Sequence, residues 1–332
     1  MFLYVSLSLY FSVIYYLNLL NFHQESEITR SYKDDYTVYL EGTKNDTHYP
    51  MNPSLMHDND TDNIWGTVRV TNDHKCNKTN ILTEYTNEVH IIDNLGSVDV
   101  FNEGELSWCV HKTFKRRGSE DPRSFLWGKR KYALITIVGK EPIPCSNKIY
   151  MYDIENKSVQ RLYSPFSNNR GMEKNWVPFE YNDRLLIEYF VNPRKIFYLD
   201  GEKVEPTLCP TMSIYLHGSV PPVRVGDYYI GMAHSTPDYM HVFYIFETNP
   251  PFRILRFSKY FFLSLEKTDT NDYEFVTGMS YIKSKNKIML SYSINDCINK
   301  INYLDVDVII SSMKYRCHKS SDIVQHLMFE NI

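Results

Sequence analysis

Four short segments carry residue types whose spacing could do chemistry. The first is Gly118-Ser119-Glu120-Asp121-Pro122-Arg123, with two adjacent carboxylates ahead of a proline and an arginine, preceded by a basic stretch from Lys112 to Arg117. A proline pushes the residue before it toward extended backbone. That would aim the Asp121 side chain in one direction, as an acid or base requires. An acidic turn with a local ion pair is the plainer reading. The second segment, Glu173-Lys174-Asn175-Trp176-Val177-Pro178-Phe179-Glu180, offers a tryptophan that could stack on a sugar and a lysine that could meet an anion. A buried core tryptophan is its plainer reading. The third, Leu216-His217-Gly218-Ser219-Val220-Pro221-Pro222-Val223-Arg224, reads as an irregular loop and leads into a strand ending at His234. A ligand contact and a structural histidine compete there. The fourth, Ser291-Tyr292-Ser293-Ile294-Asn295-Asp296-Cys297, closes a strand-like run on Asp296, either a second carboxylate or a turn residue. No GxSxG, HExxH, phosphate loop or dinucleotide fingerprint occurs. No cofactor is implied.

The elements that must position these residues are strands. The chain has 332 residues, 43% hydrophobic and 23% charged, which are globular values. With 27 Tyr, 18 Phe and only 13 Gly, the composition favours β structure. Short apolar or alternating runs recur from Trp65 onward: Trp65–Val70, Val89–Ile92, Tyr132–Val138, Lys148–Asp153, Arg184–Tyr189, Lys195–Leu199, Tyr228–Ala233, Val242–Phe246, Phe252–Phe257 and Lys287–Tyr292. Turn-forming clusters separate them, as hairpins require. An all-β chain must close or stack its sheets to protect their edges. At roughly 45–50 residues per four-stranded blade, the chain after position 60 makes a five-bladed β-propeller. A pair of β-sandwiches is the alternative. A short helix is expected within 307–328.

Residues 1–22 contain no charged side chain and reach the length of a membrane span, about 20 apolar residues. They read as a signal peptide or signal-anchor, with a buried core element as the alternative. Residues 23–62 are polar and acidic and read as a stem, leaving 63–332 for the propeller. Four sequons, at Asn45, Asn59, Asn77 and Asn156, and six cysteines without a CxxC pair point away from zinc and toward disulfides in the secretory pathway or outside the cell. A formal charge of −4 offers no field for a nucleic-acid backbone.

Taken in this order, from about Glu105 to Asp296, the four segments resemble glycoside hydrolase family 130, the β-mannoside phosphorylases, and the related β-1,2-mannosyltransferases. The resemblance implies a five-bladed propeller with its site at the axial mouth. It implies Asp121 as general acid, with Glu120, Arg123, Asn175, Trp176 and Asp296 toward the sugar. Lys174, Arg224 and His234 would face a phosphate or an activated donor. One departure stands out. Where the family carries a basic pair, this chain has Glu188-Tyr189-Phe190-Val191-Asn192-Pro193. Either an arm of the phosphate clamp is missing or Asn192-Pro193-Arg194 supplies it. The implied function is cleavage or transfer of a glycosyl, chiefly β-mannosyl, residue, with a glycan, sugar phosphate or nucleotide sugar as partner. A non-catalytic glycan-binding propeller is the alternative.

Overall fold

The computed structural model describes residues 35–40, 48–73, 84–101, 109–111, 114–139, 146–167, 173–209, 216–236, 239–263 and 273–317. The apolar segment 1–22 and the sequons at Asn45 and Asn77 lie outside them. No helix among the described residues is long and apolar enough to cross a membrane.

The chain enters through β1 (Asp35–Thr37), which pairs with the last sheet rather than with its sequence neighbours. The first blade is β2 (Tyr49–His57), β3 (Ile64–Thr71), β4 (Glu84–Asp93) and β5 (Gly96–Phe101). A short β6 (Cys109–His111) then pairs with the start of a long strand, β7 (Phe114–Trp127). The beginning of β7 runs parallel to β4, while its later part leads the second blade with β8 (Arg130–Gly139), β9 (Ser146–Asp153) and β10 (Ser158–Arg161). The third blade is β11 (Val177–Tyr181), β12 (Arg184–Phe190) and β13 (Lys195–Tyr198). The fourth is β14 (Leu216–Val225), β15 (Tyr228–Ser235), β16 (His241–Glu247) and β17 (Ile254–Phe257). The fifth is β18 (Glu274–Ile282), β19 (Lys287–Ile294) and β20 (Ile298–Asp305), completed by β1. The helix α1 (Val306–Ser312) follows, and β21 (Tyr315–Arg316) then adds to β17.

The leading strands β2, β7, β11, β14 and β18 contact one another in cyclic order, so they form the inner ring. The apolar residues sort accordingly into five clusters, one per gap between blades. Val89 and Ile135 mark the gap between blades one and two. Trp176 and Leu134 mark the next. Phe179 with Phe246, Val276 with Ile230, and Leu55 with Met289 mark the remaining three. Large flat side chains suit this packing of sheet on sheet, and the aromatic excess is spent largely here. Phe179, for example, meets Tyr229, Phe246 and Phe252 edge-on at 5.3–5.6 Å.

The ring shuts between blades five and one through a seam of buried hydroxyls. Ser293 Oγ accepts from the Asn52 amide at 2.6 Å, Ser291 Oγ from that of Leu55 at 2.9 Å, and Ser280 Oγ from that of His57 at 2.9 Å. Each satisfies a backbone donor that has no strand partner on that side, as burial demands. The C-terminal end is tied down covalently, since Cys317 is bonded to Cys209. Cys297 is also disulfide-bonded, and no described cysteine is free.

Several expectations are corrected. The polar segment 23–62 is not all stem: β1 and β2 lie within it, and β2 is an inner strand of the propeller. Its residues read as polar because the inner ring seats hydroxyls and amides instead of an apolar face. The segments around Asp121 and Ser219, read as a turn and a loop, are strands β7 and β14. Among the described residues the expected terminal helix is Val306–Ser312, and the rest of its expected range beyond 317 lies outside them.

Candidate active site

Four inner strands are bulged, β18 between Val276 and Gly278 among them, and the bulges of the other three build the site. The pairing slips between Met51 and Ser54 in β2, between Glu120 and Arg123 in β7, and between Gly218 and Val220 in β14. A bulge inserts an unpaired residue and re-aims its side chain. Asn52 and Asp121 are the inserted residues, with φ of 52° and 45°. Pro122 therefore does not hold Asp121 in extended backbone. The bulge overrides that preference and turns the carboxylate toward blade one. Gly118, with φ of 107°, makes the adjoining approach feasible, because a Cβ there would collide with the Asn87 carbonyl oxygen.

Asp121 Oδ1 accepts from Asn52 Nδ2 at 3.0 Å and from Arg69 Nη1 at 3.3 Å. Its side chain is 27% exposed, and Oδ2 makes no hydrogen bond among the described residues. Glu120 lies behind it, buried, with Asn87 Nδ2 at 3.5 Å and Arg69 Nη2 at 3.8 Å from Oε1. Arg69 is thus the hub. Burial works against its charge, but Glu120, Asp121 and Asp296 together outweigh burial and hold its proton more tightly than usual. Asp296, in the β19–β20 turn with φ of 51°, is both of the things its sequence allowed, a turn residue and a carboxylate of the site. Tyr273 donates its hydroxyl to Asp296, and burial, then that carboxylate, keep the phenol protonated.

Arg123 serves differently from the expectation. It is 2% exposed, and its guanidinium donates to the Ser219 carbonyl at 2.8 Å, the Asp121 carbonyl at 3.2 Å and Asn175 Oδ1 at 3.0 Å. These bonds tie together blade two, the approach to blade three and blade four. Burial lowers its pKa to about 10, against a smaller opposing pull from Asp121. Arg123 positions its neighbours and does not reach into the mouth.

On the blade-four side, His217 and His234 pair in register across β14 and β15 and stack at 5.7 Å. His234 is 1% exposed and bonded through Nδ1 to Ser219 Oγ at 2.8 Å. Burial, then His241, His217, Arg123 and Lys174, push its pKa well down, so it is neutral at neutral pH. His217 is half-buried and shifted down by burial and Lys174. Lys174 is exposed beside them.

The structure therefore brings Glu120, Asp121, Arg123, Lys174, Asn175, His234 and Asp296 to one end of the ring. Two expected residues are elsewhere. Trp176 is 2% exposed, packed against Tyr189 and Phe197 and bonded through Nε1 to Glu173, so it is core and cannot stack on a ligand. Arg224 stands near the far end of β14, seven residues and roughly 20 Å of strand beyond His217. There it is exposed beside an apolar cavity of about 360 Å3 lined by Met56, Phe125, Pro221, Pro222 and Met279. Arg194 does not replace the missing basic pair. It is 2% exposed, paired with buried Glu188 at 2.7 Å and set over the Phe246 ring at 4.2 Å. Sequence reasoning also missed Asn52, Arg69, Asn87, His217, Tyr239 and Tyr273. A signal existed for Arg69, the one charge in the run Trp65–Val70. No group of three or more His, Cys, Asp or Glu side chains among the described residues is arranged to hold a metal ion.

No protein-family model matches the sequence, and no curated protein matches it. Solved structures do match. The fold is shared with the following three. β-1,2-Mannobiose phosphorylase from Listeria innocua, solved with β-1,2-mannobiose, superposes with a TM-score of 0.56 at 11% identity, over 84% of this chain and 99% of its own. A glycosyl hydrolase from Bacteroides ovatus gives 0.54 at 13%, over 84% and 93%. The mannose phosphorylase MPT-4 from Leishmania mexicana, solved with phosphate, gives 0.50 at 12%, over 88% and 95%.

Proposed function

We propose that this chain is a carbohydrate-active enzyme that cleaves or transfers a glycosyl residue, β-mannosyl by its resemblance, with Asp121 as general acid. One observation carries the reading. Two donors pin Asp121 Oδ1, while Oδ2, on a partly exposed side chain, makes no hydrogen bond among the described residues, and Arg69, bonded to Asp121, also feels the charge of Asp296. As general acid, Asp121 would deliver a proton from Oδ2 to the glycosidic oxygen, directly or through a sugar hydroxyl. The bond from that oxygen to the anomeric carbon breaks, a nucleophile bonds the carbon from the opposite face, and a water or hydroxyl nucleophile gives its own proton to solvent, from which the carboxyl is restored. Asp296 and the Tyr273 hydroxyl are suited to hold sugar hydroxyls beside it.

The nucleophile is less well served by cations than the sequence implied. Arg224 stands at the other end and Arg194 is internal. Arg69 and Arg123 are bound to protein groups. Among the described side chains Lys174 remains as a cation, beside two imidazoles. This set favours water or an acceptor hydroxyl over phosphate as nucleophile. It also supports a second reading, a glycan-binding propeller without turnover. The proposal includes a secretory or extracellular site of action, supported by the Cys209–Cys317 disulfide, because such bonds persist in oxidising compartments.

The test is incubation with β-manno-oligosaccharides, mannose-1-phosphate and GDP-mannose, read by mass spectrometry. Asp121→Asn should lower the rate on the best donor by about 10²–10⁴-fold, the ordinary contribution of a general acid, without changing the unfolding midpoint. A variant with full activity would overturn the assignment. Glycans that bind and are never turned over would establish the second reading.

A further inference from the structure

Tyr239 follows two residues outside the described set, at the tip of the β15–β16 hairpin. That hairpin is held shut by the Ser235 amide donating to the Met240 carbonyl at 2.9 Å. Its φ is 53°, a left-handed conformation that bulky residues rarely adopt. One face of its ring lies parallel to His234, at 5.6 Å and 6°. Tyr273 meets it at 5.4 Å with a 37° tilt, and Phe275 meets Tyr239 and His234 edge-on. Both tyrosines are nevertheless only partly buried. Asp121 and Asp296 both act on the Tyr239 phenol, after burial itself, and Tyr273 bonds Asp296. Neither Glu120 nor Arg123 has such a position, and packing alone does not explain it. A purely structural tyrosine pair would be covered and would not face two carboxylates.

We propose that Tyr239 and Tyr273 form the aromatic platform of the site. They take the C–H face of a pyranose ring and hold its hydroxyl-bearing edge toward Asp121 and Asp296. This rests on the reading of the site as a sugar site and names the residues that set its selectivity for ring shape. The role expected of Trp176 passes to them. Rigid aromatic surface with a polar tip gives contact area at low conformational cost, and ligand sites commonly place such groups beside a few convergent polar ones. The parallel His234 ring fixes the platform, since a buried neutral imidazole backs the phenol without competing for the carboxylates. The backing also explains why His234 must be buried while His217, its stacked neighbour, is half open.

The experiment separates binding from turnover. Binding of β-1,2-mannobiose and of a glycan array to the full chain is measured alongside product formation. Tyr239→Ala should weaken binding of the best ligand by about tenfold or more, and Tyr273→Ala likewise. Tyr239→Phe should stay within about threefold, because the ring is kept. Tyr163→Ala, an exposed tyrosine far along blade two, serves as the unchanged control. Tyr239→Leu, which keeps apolar bulk without the flat ring, guards against a folding artefact and should behave as Tyr239→Ala. If Tyr239→Ala binds as tightly as the parent protein, the platform is wrong. If the parent binds and never turns over while Tyr239→Ala loses binding, the platform stands and the enzymatic reading fails. If the parent binds no glycan, both fall.

Discussion

The same five inner strands build two unlike ends of one ring. Where they begin, Arg69, Glu120, Asp121, Asp296 and a pair of imidazoles crowd together, and the strands are bulged. Where they end, Met56, Phe125, Pro221, Pro222 and Met279 line a cavity of about 360 Å3 whose Glu180 carboxylate simply accepts the Gly128 amide. A fold that needed only stability would resemble the second end throughout, because partly buried charge is costly unless it is paired and hydrogen-bonded. The candidate site is therefore sought at the end that carries unfavourable chemistry, whose cost is offset by the Arg69 hub and by Arg123 joining three parts of the ring.

The contrast can be broken in four further ways. Removing the hub should have the largest effect. Arg69→Met leaves Glu120 and Asp121 without their cation and should lower stability by about 3–5 kcal/mol, read from the urea midpoint, and abolish any turnover. A midpoint unchanged within error would mean the carboxylates do not depend on it. Next, Trp176→Ala should cost about 3–5 kcal/mol as a core truncation. Where the variant remains folded, its ligand affinity should equal the parent's, and a lost affinity would return Trp176 to the site.

A pH series tests the buried imidazole. His234 has its folded pKa pushed below the ordinary value of about 6.5. The unfolded chain therefore binds a proton that the folded one refuses. Stability is full above about pH 6.5 and falls as the pH drops from there toward the folded value. The slope approaches about 1.4 kcal/mol per pH unit for one such proton. His234→Gln should remove that component of the slope in urea titrations between pH 7 and 5, and an identical slope would contradict a neutral buried ring. The smallest effect belongs to the far end. Arg224→Ala should change kcat/KM for mannose-1-phosphate or GDP-mannose by less than about twofold, because the loss of one exposed surface charge is worth little. A tenfold loss would put a donor site there.

Much of the fold was legible because most strands obey the alternation that a half-buried sheet demands. Every run named from the pattern, from Trp65–Val70 to Lys287–Tyr292, lies in or overlaps a strand. Among the strands that escaped notice was the whole inner ring, β2, β7, β11, β14 and β18. Their sequences hold Asn-Pro, Glu-Asp-Pro, Val-Pro, Gly-Ser with Pro-Pro, and Thr-Gly, which read as turns. They face neighbours on all sides and a channel at one end, so neither period nor propensity marks them.

By itself, the sequence determined the all-β class and the blade count and singled out Asp121 and Asp296 as candidates, because local pattern and ordered motifs encode these. Only the tertiary structure decided which end of β14 meets Asp121, that Trp176 is inside a blade interface, and that Arg69, Asn52, Tyr239 and Tyr273 complete the cluster. Those facts depend on bulges that turn single residues around and on ring closure, which brings Asn52 against Ser293 across 241 positions of chain. Interactions at that separation leave no local trace in the residues that make them.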